Sequence, residues 1–197
     1  MIFGILKPRL LLAFFLSWSS IGPVVSDSNW NINTLMQQLS QVKEANADFQ
    51  ETKNSSLLTA PLKTRGQLIY RAPSYLEKRI THPYRESLRI ENNNMVRESQ
   101  DGKRQTLSLG AYPAAGALVE SFRATLAGDL SALQRFYRIE LHGNKKQWQL
   151  LLLPKDPDIS ETIQAIRLYG RENTIYAIHT QEASGDSSQM ALTRIVQ

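Results

Sequence analysis

The feature that most constrains the fold is a long series of short segments in which apolar and polar residues alternate. In residues 62–71, for example, Leu62, Leu68 and Tyr70 alternate with charged or polar side chains, as in a strand with one buried face. Short breaks rich in Pro, Gly, Asn and Asp connect these segments, so neighbouring strands must be antiparallel. We predict strands at residues 46–54, 62–71, 75–81, 85–91, 94–100, 103–109, 136–143, 146–154, 162–170, 173–182 and 187–196.

Helical patterns precede this series and interrupt it. An opening helix is predicted from Ile32, with Thr34 and Gln37 as a capping box. A second helix follows Pro113 and ends at Gly128, and Asp129 is a suitable N-cap for a third, shorter helix. The second helix carries an apolar stripe at helical spacing, formed by Ala115, Leu118, Val119, Phe122 and Leu126.

These elements predict a mainly β fold with some α. About eleven antiparallel strands form one sheet, and accumulated twist makes so long a sheet curl. We expect an unclosed antiparallel barrel whose inner face is covered by a helical lid, because the apolar helices have no other surface on which to pack.

The N-terminus has the pattern of an export signal. Lys7 and Arg9 precede an apolar run, residues 10–16, that is too short to span a membrane. Val24 and Ser26 are small residues at the positions that a signal peptidase requires. We therefore predict a signal peptide at 1–26, cleavage after Ser26, one domain at 27–197, and a periplasmic location. An uncleaved membrane anchor is the alternative.

Composition excludes several classes of function. The absence of cysteine excludes disulfides, zinc–thiolate sites, thiol catalysis and a lipid-modified cysteine. The formal net charge of +5 is too small to predict nucleic-acid binding. The histidines His82, His142 and His179 lie far apart and match no metal or nucleophile motif. We expect no cofactor, no metal, no nucleic acid and no catalysis. A lipid hydrolase with one histidine as its base is a weaker alternative.

Basic residues on the first strands, among them Lys78, Arg79, Arg85 and Arg89, are expected to point outward, away from the apolar side chains between them. A solvated face is the simpler interpretation of these residues, and a docking surface for an acidic partner is the sharper one.

Twelve apolar residues are predicted to form one continuous lining. The pattern does not distinguish a solidly packed core from the wall of a ligand cavity. The strand residues are Leu68, Tyr70, Leu76, Ile80, Leu88, Ile90, Trp148, Leu150 and Leu152, and the residues of the lid helix are Leu118, Phe122 and Leu126.

Two stretches of the sequence resemble LolA-type periplasmic lipoprotein carriers. The stretch 47–90 carries Ala47-x-Phe49-x-Glu51, Gly66-x-Leu68, Pro73, Thr81-x-Pro83 and Glu86-Ser87 in the order and spacing of that family. Farther along are Leu126-Ala127-Gly128-Asp129, Leu133 and Trp148-x-Leu150-x-Leu152-x-Pro154. The resemblance implies a LolA/LolB-like fold, an unclosed barrel with a helical lid over an apolar cavity.

The sequence also departs from that family. The arginine that the family places before the first of these prolines, implicated in opening and closing the lid, is Ala72 here, and Arg71 is expected to face the other side of its strand. Glu51 stands where the family usually has glutamine, and residues 95–98 replace an aromatic-rich strand. LolB-type receptors carry a lipidated cysteine, which this chain lacks.

The resemblance implies a monomeric, non-enzymatic carrier for the acyl chains of a lipoprotein or related lipid. Each methylene exposed to water costs about 0.8 kcal/mol, so exposing a 16-carbon chain to the periplasm costs roughly 12 kcal/mol unless a protein shields it from water. The implied partners are an inner-membrane transporter that loads the carrier and an outer-membrane acceptor. A lipid-sensing regulatory module of the same fold is the main alternative, although 27–197 leaves little room for a further interaction domain.

Overall fold

The computed structural model describes residues 30–91 and 93–194, so the predicted signal peptide lies outside the described residues. The described strands form one antiparallel sheet. They are β1 (Glu44–Asn54), β2 (Leu62–Arg71), β3 (Tyr75–His82), β4 (Glu86–Glu91), β5 (Asn94–Ser99), β6 (Arg104–Ser108), β7 (Tyr137–Asn144), β8 (Gln147–Pro154), β9 (Ile163–Arg171), β10 (Thr174–Glu182) and β11 (Ser187–Arg194).

Two meanders make up this sheet. The strand order is β6-β5-β4-β3-β2-β1-β11-β10-β9-β8-β7, so the first and last strands of the chain pair at its centre. In the described part of the chain, β6 and β7 each have a neighbour on one side alone and form the two edges. The prediction of an unclosed antiparallel sheet of about eleven strands is confirmed, with each strand within about two residues of its predicted limits.

Four α-helices accompany the sheet. They are α1 (Ile32–Leu39), α2 (Pro113–Ala127), α3 (Leu130–Phe136) and α4 (Pro157–Ser160), with a 3-10 helix at Leu109–Ala111. The 3-10 helix, α2 and α3 follow β6 and lead into β7, so this segment of the chain connects the two edges of the sheet. These helices therefore lie in the connection between the two edges of the sheet.

Helix boundaries depend on local hydrogen bonds. Asp129 caps α3 as predicted, because its carboxylate accepts a hydrogen bond from Ala132 N at 2.9 Å. The capping box predicted for α1 at Thr34 is wrong. Asn31 is the N-cap, and its Oδ1 accepts from Thr34 N at 3.1 Å. The helix therefore begins one turn earlier than a cap at Thr34 would allow.

The end of α2 is held against α1. Gly128 caps α2 with a φ of 69°, a conformation that favours glycine. A Cβ atom at this position would lie 2.2 Å from the carbonyl oxygen of Met36 in α1. Any larger residue would force the two helices apart, so Gly128 fixes both the end of α2 and its seat on α1.

The main hydrophobic core lies between the helices and the second meander. It contains Leu35, Met36 and Leu39 of α1, Leu133 of α3 and Ile159 of α4, together with Tyr137, Trp148, Leu150, Leu152, Ile163, Ile166 and Leu168 of β7, β8 and β9. The helices thus pack over one half of the sheet. Phe49, Tyr70, Ile80, Ile90 and Val96 of the first meander are also buried, outside this cluster.

Candidate functional site: the inner face of the sheet

The strand register defines one face of the sheet that we call the inner face, the face that carries Leu150. Residues directly opposite each other on paired strands point to the same side. Across the second meander and onto β1, Leu150 is opposite Leu168, which is opposite Ile178, then Met190 and then Glu51. The inner face therefore continues without interruption across the central β1–β11 pairing.

The same register extends the inner face over the first meander. Glu51 is opposite Thr64 of β2, and alternation along β2 places Leu68 and Tyr70 on the same side as Thr64. Continuing through β3 to β4, Tyr70 is opposite Leu76, which is opposite Ile90. The inner face thus includes all the strand residues predicted to form the lining, namely Leu68, Tyr70, Leu76, Ile80, Leu88, Ile90, Trp148, Leu150 and Leu152.

The predicted lining residues differ in burial. Tyr70, Ile80, Ile90, Trp148, Leu150 and Leu152 are buried. The others, Leu68, Leu76, Leu88, Leu118, Phe122 and Leu126, are half-buried. The half-buried strand residues all lie on the first meander, on β2, β3 and β4. The inner face is therefore sealed over β8 and β9, whereas half-buried side chains lie among buried ones over β2, β3 and β4. Whether these residues bind a ligand stays a prediction.

Trp148 belongs to the sealed part. Its side chain is 1% exposed, and its Nε1 donates to the carbonyl oxygen of Glu172 at 2.9 Å. The indole lies over Gly170 of β9, where a Cβ atom would approach Trp148 Cζ2 to 1.9 Å. Core packing thus accounts for the alternation of Trp148 with Leu150 and Leu152.

Helix α2 presents two different faces. Its fully buried face consists of small residues, Ala117, Ser121, Ala124 and Thr125. The hydroxyls of Ser121 and Thr125 donate to helix carbonyls one turn back, each at 2.6 Å, so their burial leaves these donors satisfied. The large apolar stripe of Leu118, Phe122 and Leu126 lies beside this face and is half-buried. Leu118 and Phe122 pack against the margin of the core. Sequence analysis identified the stripe but missed the small-residue face.

A polar cluster occupies the centre of the inner face. Lys78 Nζ contacts Glu51 Oε2 at 2.5 Å, and the hydroxyls of Thr64 and Ser188 donate to the same carboxylate at 3.2 and 2.7 Å. The Lys78 ammonium also lies 5.1 Å from the centre of the Phe49 ring, within cation–π range. The prediction that Lys78 points outward is wrong, because it shares the face of Leu76 and Ile80 by strand alternation.

The charge state of Glu51 follows from these contacts. Burial alone would raise the pKa of its carboxyl group, but the Lys78 ammonium and the hydrogen bonds from Lys78, Ser188 and Thr64 together hold that pKa below its ordinary value. Glu51 is therefore ionised at neutral pH. The side chains of Glu51 and Lys78 are 16% and 24% exposed, so the pair is accessible from the inner side of the sheet.

Arg71 lies on the outer side of the sheet, as predicted. Its guanidinium carbon is 5.4 Å from the centre of the Tyr75 ring. Because Arg71 neighbours Tyr70 on the same strand, it points away from the lining and away from α2.

The histidines do not converge. His82 ends β3, His142 lies on β7 and His179 on β10, and these three strands are not neighbours in the sheet. His142 Nε2 is 3.6 Å from Glu140, and the His179 ring lies against Tyr169 with a centroid distance of 4.8 Å. Among the described residues, no group of three or more acidic or histidine side chains is arranged to hold a metal ion.

Two surface grooves lie away from the predicted lining. One, of about 850 Å³, is formed where α3 meets the ends of β7 and β8 by Gln134, Tyr137, Arg138, Ile139, Leu153, Pro154, Lys155 and Gln164. The other, of about 570 Å³, lies at one end of β4 and β5 and is formed by Tyr84, Arg85, Glu86, Arg97, Ser99, Gln100 and Asp101. Both are surface features rather than the lining itself.

Comparison with protein families agrees with the fold. The family model described as outer membrane lipoprotein carrier protein, LolA-like, matches residues 24–195. The chain belongs to this family. The resemblance noted from the motifs of residues 47–90 is therefore confirmed, and the family is one of carrier and binding proteins rather than enzymes. Among curated protein sequences, none matches this chain.

A search of solved structures finds several to which this chain is similar. A LolA superfamily protein from Nitrosomonas europaea is 10% identical with a TM-score of 0.46, over 85% of this chain and 94% of that one. A DUF1329 family protein from Desulfovibrio piger is 10% identical with a TM-score of 0.47, over 82% and 88%. A chain of the MucA/MucB complex from Pseudomonas aeruginosa is 11% identical with a TM-score of 0.45, over 82% and 55%.

The LolA family is periplasmic. In the part of the chain that the structure describes, no helix combines the length and the apolar character needed to cross a membrane.

Proposed function

We propose that this LolA-like chain is a periplasmic carrier that holds acyl chains of a lipoprotein or related lipid between the inner face of its sheet and helix α2. The observation that carries the proposal is half-buried apolar surface on the first meander and on α2. Leu68, Leu76 and Leu88 lie on the sheet, and Leu118 and Phe122 lie on α2. Membership in a family of lipoprotein carriers supports the same function.

The arrangement suits reversible binding. Apolar surface that is half-buried without cargo gains burial when an acyl chain covers it, at about 25 cal/mol per Å². Helix α2 is held at one end by Gly128 on α1. Its buried contribution to the core comes from the small residues Ala117 and Ala124, so a shift of this helix removes little side-chain volume from the core. The cargo is loaded from an inner-membrane transporter and delivered to an outer-membrane acceptor, and the chain acts as a binding protein without a cofactor.

Native mass spectrometry tests the binding step. The full chain with its own signal peptide is expressed, and the protein is purified from the periplasm without detergent. We expect a complex with one acylated molecule, and the mass of the released ligand identifies its head group. Ligand-free protein that also fails to bind an added triacylated lipopeptide would overturn the proposal.

A matched pair of variants locates the ligand on the sheet. Leu68 and Ile69 are neighbours on β2, both half-buried, and alternation places Leu68 on the inner face and Ile69 on the outer face. Leu68→Gln is expected to reduce lipopeptide retention by about tenfold, while Ile69→Gln leaves retention within about twofold. Equal losses in the two variants would place the acyl chain elsewhere.

A further inference from the structure

Among the described residues, the buried side-chain donors without a hydrogen-bond partner include one on β2 and one on α2. Tyr70 of β2 is 3% exposed, and its hydroxyl makes no hydrogen bond within the described residues. The Nε atom of Arg123 in α2 is also buried and also makes no hydrogen bond within the described residues. Buried polar groups in proteins are almost always hydrogen-bonded, so each exception requires an explanation.

The two groups belong to the same region. Tyr70 lies on the inner face, and Arg123 follows Phe122 of the apolar stripe directly. Burial raises the pKa of the Tyr70 phenol, and the charge of Arg123 opposes this rise, so the guanidinium is near enough to act on the hydroxyl. A phenol and a guanidinium at neutral pH offer donors, and Arg123 has no acceptor at all.

The charges around Arg123 leave a positive excess. Its Nη1 is 3.6 Å from Glu120 Oε2, beyond good hydrogen-bond length, and the other oxygen of Glu120 is 3.9 Å from Arg135 Nη2. One carboxylate is therefore shared between two guanidinium groups. The Arg123 side chain is 27% exposed although its Nε is buried, so a ligand can approach the guanidinium from solvent.

We propose that Tyr70 and Arg123 bind the oxyanion of an amphiphile, a carboxylate or a phosphate, whose acyl chain lies along the inner face. This inference rests on the proposed function and adds the chemistry of the head group to it. An oxyanion is an acceptor with several lone pairs and a negative charge, so it satisfies both orphan donors and the local positive excess together. The Glu51–Lys78 pair, already matched in charge, offers no such excess.

Three amphiphiles with the same 16-carbon chain separate the head group from the chain. Palmitate supplies a carboxylate, palmitoyl lysophosphatidate a phosphate, and hexadecanol a neutral hydroxyl. Equilibrium binding of each to delipidated full-length protein is measured below the critical micelle concentration of the two anions and below the solubility limit of hexadecanol. We expect at least one of the anions to bind about tenfold or more tightly than hexadecanol, because a hydrogen bond to a charged group is stronger than one to a neutral group. The preferred anion distinguishes a fatty-acid ligand from a phospholipid ligand.

Variants assign this preference to the two residues. Arg123→Gln is expected to reduce the anion preference to within about twofold, Arg123→Lys to retain part of it, and Tyr70→Phe to reduce it about threefold to tenfold. In all three variants the loss of affinity should be larger for the anions than for hexadecanol, and circular dichroism verifies that the variants are folded. Arg135→Gln is the control, because it removes a charge of the same sign that also contacts Glu120, on a side chain 67% exposed.

The outcomes separate this inference from the proposed function. Equal binding of all three amphiphiles, or an anion preference that survives Arg123→Gln and Tyr70→Phe, overturns the oxyanion site and leaves the acyl carrier standing. An equal loss of preference in Arg135→Gln shows a general field rather than a site and also overturns it. Failure of the wild-type protein to bind any of the three, or a triacylated lipopeptide, overturns both.

Discussion

The two meanders of the sheet share one pattern of alternation and differ in what covers it. Over the second meander, Leu150 and Leu152 are fully buried under the helices. Over the first meander, Leu68, Leu76 and Leu88 occupy equivalent positions on the same face and are half-buried. Alternation along a strand therefore decides which face is apolar, whereas the position of the helices decides whether that face becomes core or stays available to a ligand.

The largest expected effect tests this difference directly with one substitution at two sites. Leu150→Ala should lower the free energy of unfolding by about 2–5 kcal/mol, because the fully packed surroundings of Leu150 cannot close the resulting cavity. Leu88→Ala on β4 should cost about 1 kcal/mol, since its side chain is already partly hydrated. Urea denaturation monitored by circular dichroism measures both. Equal costs would show that the two meanders are packed alike.

A second substitution tests how closely the indole of Trp148 packs against Gly170. Gly170→Ala should lower the free energy of unfolding by about 1–3 kcal/mol, because the new methyl group would overlap the indole of Trp148. Gly110→Ala is the control, since the nearest atom to its Cβ position is 3.7 Å away, at Asn93. Thermal unfolding and tryptophan fluorescence follow both variants. An unperturbed spectrum in Gly170→Ala would contradict the close indole–glycine packing.

A substitution of Phe122 tests whether α2 behaves as part of the packed core or as a movable lid. If Phe122 were ordinary core, Phe122→Ala would cost about 3–5 kcal/mol of stability. For a half-buried residue of a movable lid we expect about 2 kcal/mol or less, together with a roughly tenfold faster release of bound acyl ligand. Denaturation and ligand dissociation rates are measured on the same preparation. A large loss of stability with an unchanged dissociation rate would assign α2 to the core.

The smallest expected change in stability concerns the polar cluster at the centre of the inner face, and it depends on pH. The pKa of Glu51 is lower in the folded chain than its ordinary value of 4.5, so its ionised form stabilises the fold above that value. Glu51→Gln should therefore cost about 1 kcal/mol at neutral pH, and this difference from wild type should shrink as the pH falls from about 4.5 through the lowered pKa of the folded state.

The control for this prediction is Lys78→Gln. Removing the ammonium takes away the main cause that lowers the pKa of Glu51, so the same acid-dependent loss of stability should disappear. Unfolding free energies between pH 3 and pH 7 are compared for the three proteins. A Glu51→Gln difference that is constant over this range would contradict the lowered pKa.

Local patterns were sufficient to predict most of the fold. Apart from Ile69, the odd-numbered residues from 63 to 71 are charged or polar, and β2 occupies residues 62–71. Pro113 and Gly128 mark the two ends of α2 because one suits a first helical turn and the other a left-handed cap. These signals act within a few residues, so they are visible without knowledge of the tertiary structure.

Features that depend on distant contacts were harder to predict. Lys78 points inward because Glu51, Thr64 and Ser188 surround its ammonium and the carboxylate it contacts, and these partners come from different strands. Trp148 has the alternation of a lining residue, yet its indole packs closely over Gly170, where there is no side chain to exclude it. The small-residue face of α2 went unnoticed because alanine and serine carry little apolar signal in a sequence.

The pairing of β1 with β11 also determines when the sheet can be completed. Ala47 is opposite Arg194, and Asn54 is opposite Ser187, so the central seam joins segments from opposite ends of the described chain. Each meander can assemble from local contacts, but their union requires closure of a loop that contains nearly the whole domain, which is slow for such long-range pairing. During synthesis, the seam cannot form until residues 187–194 are available, so the inner face becomes continuous only after β11 has been made.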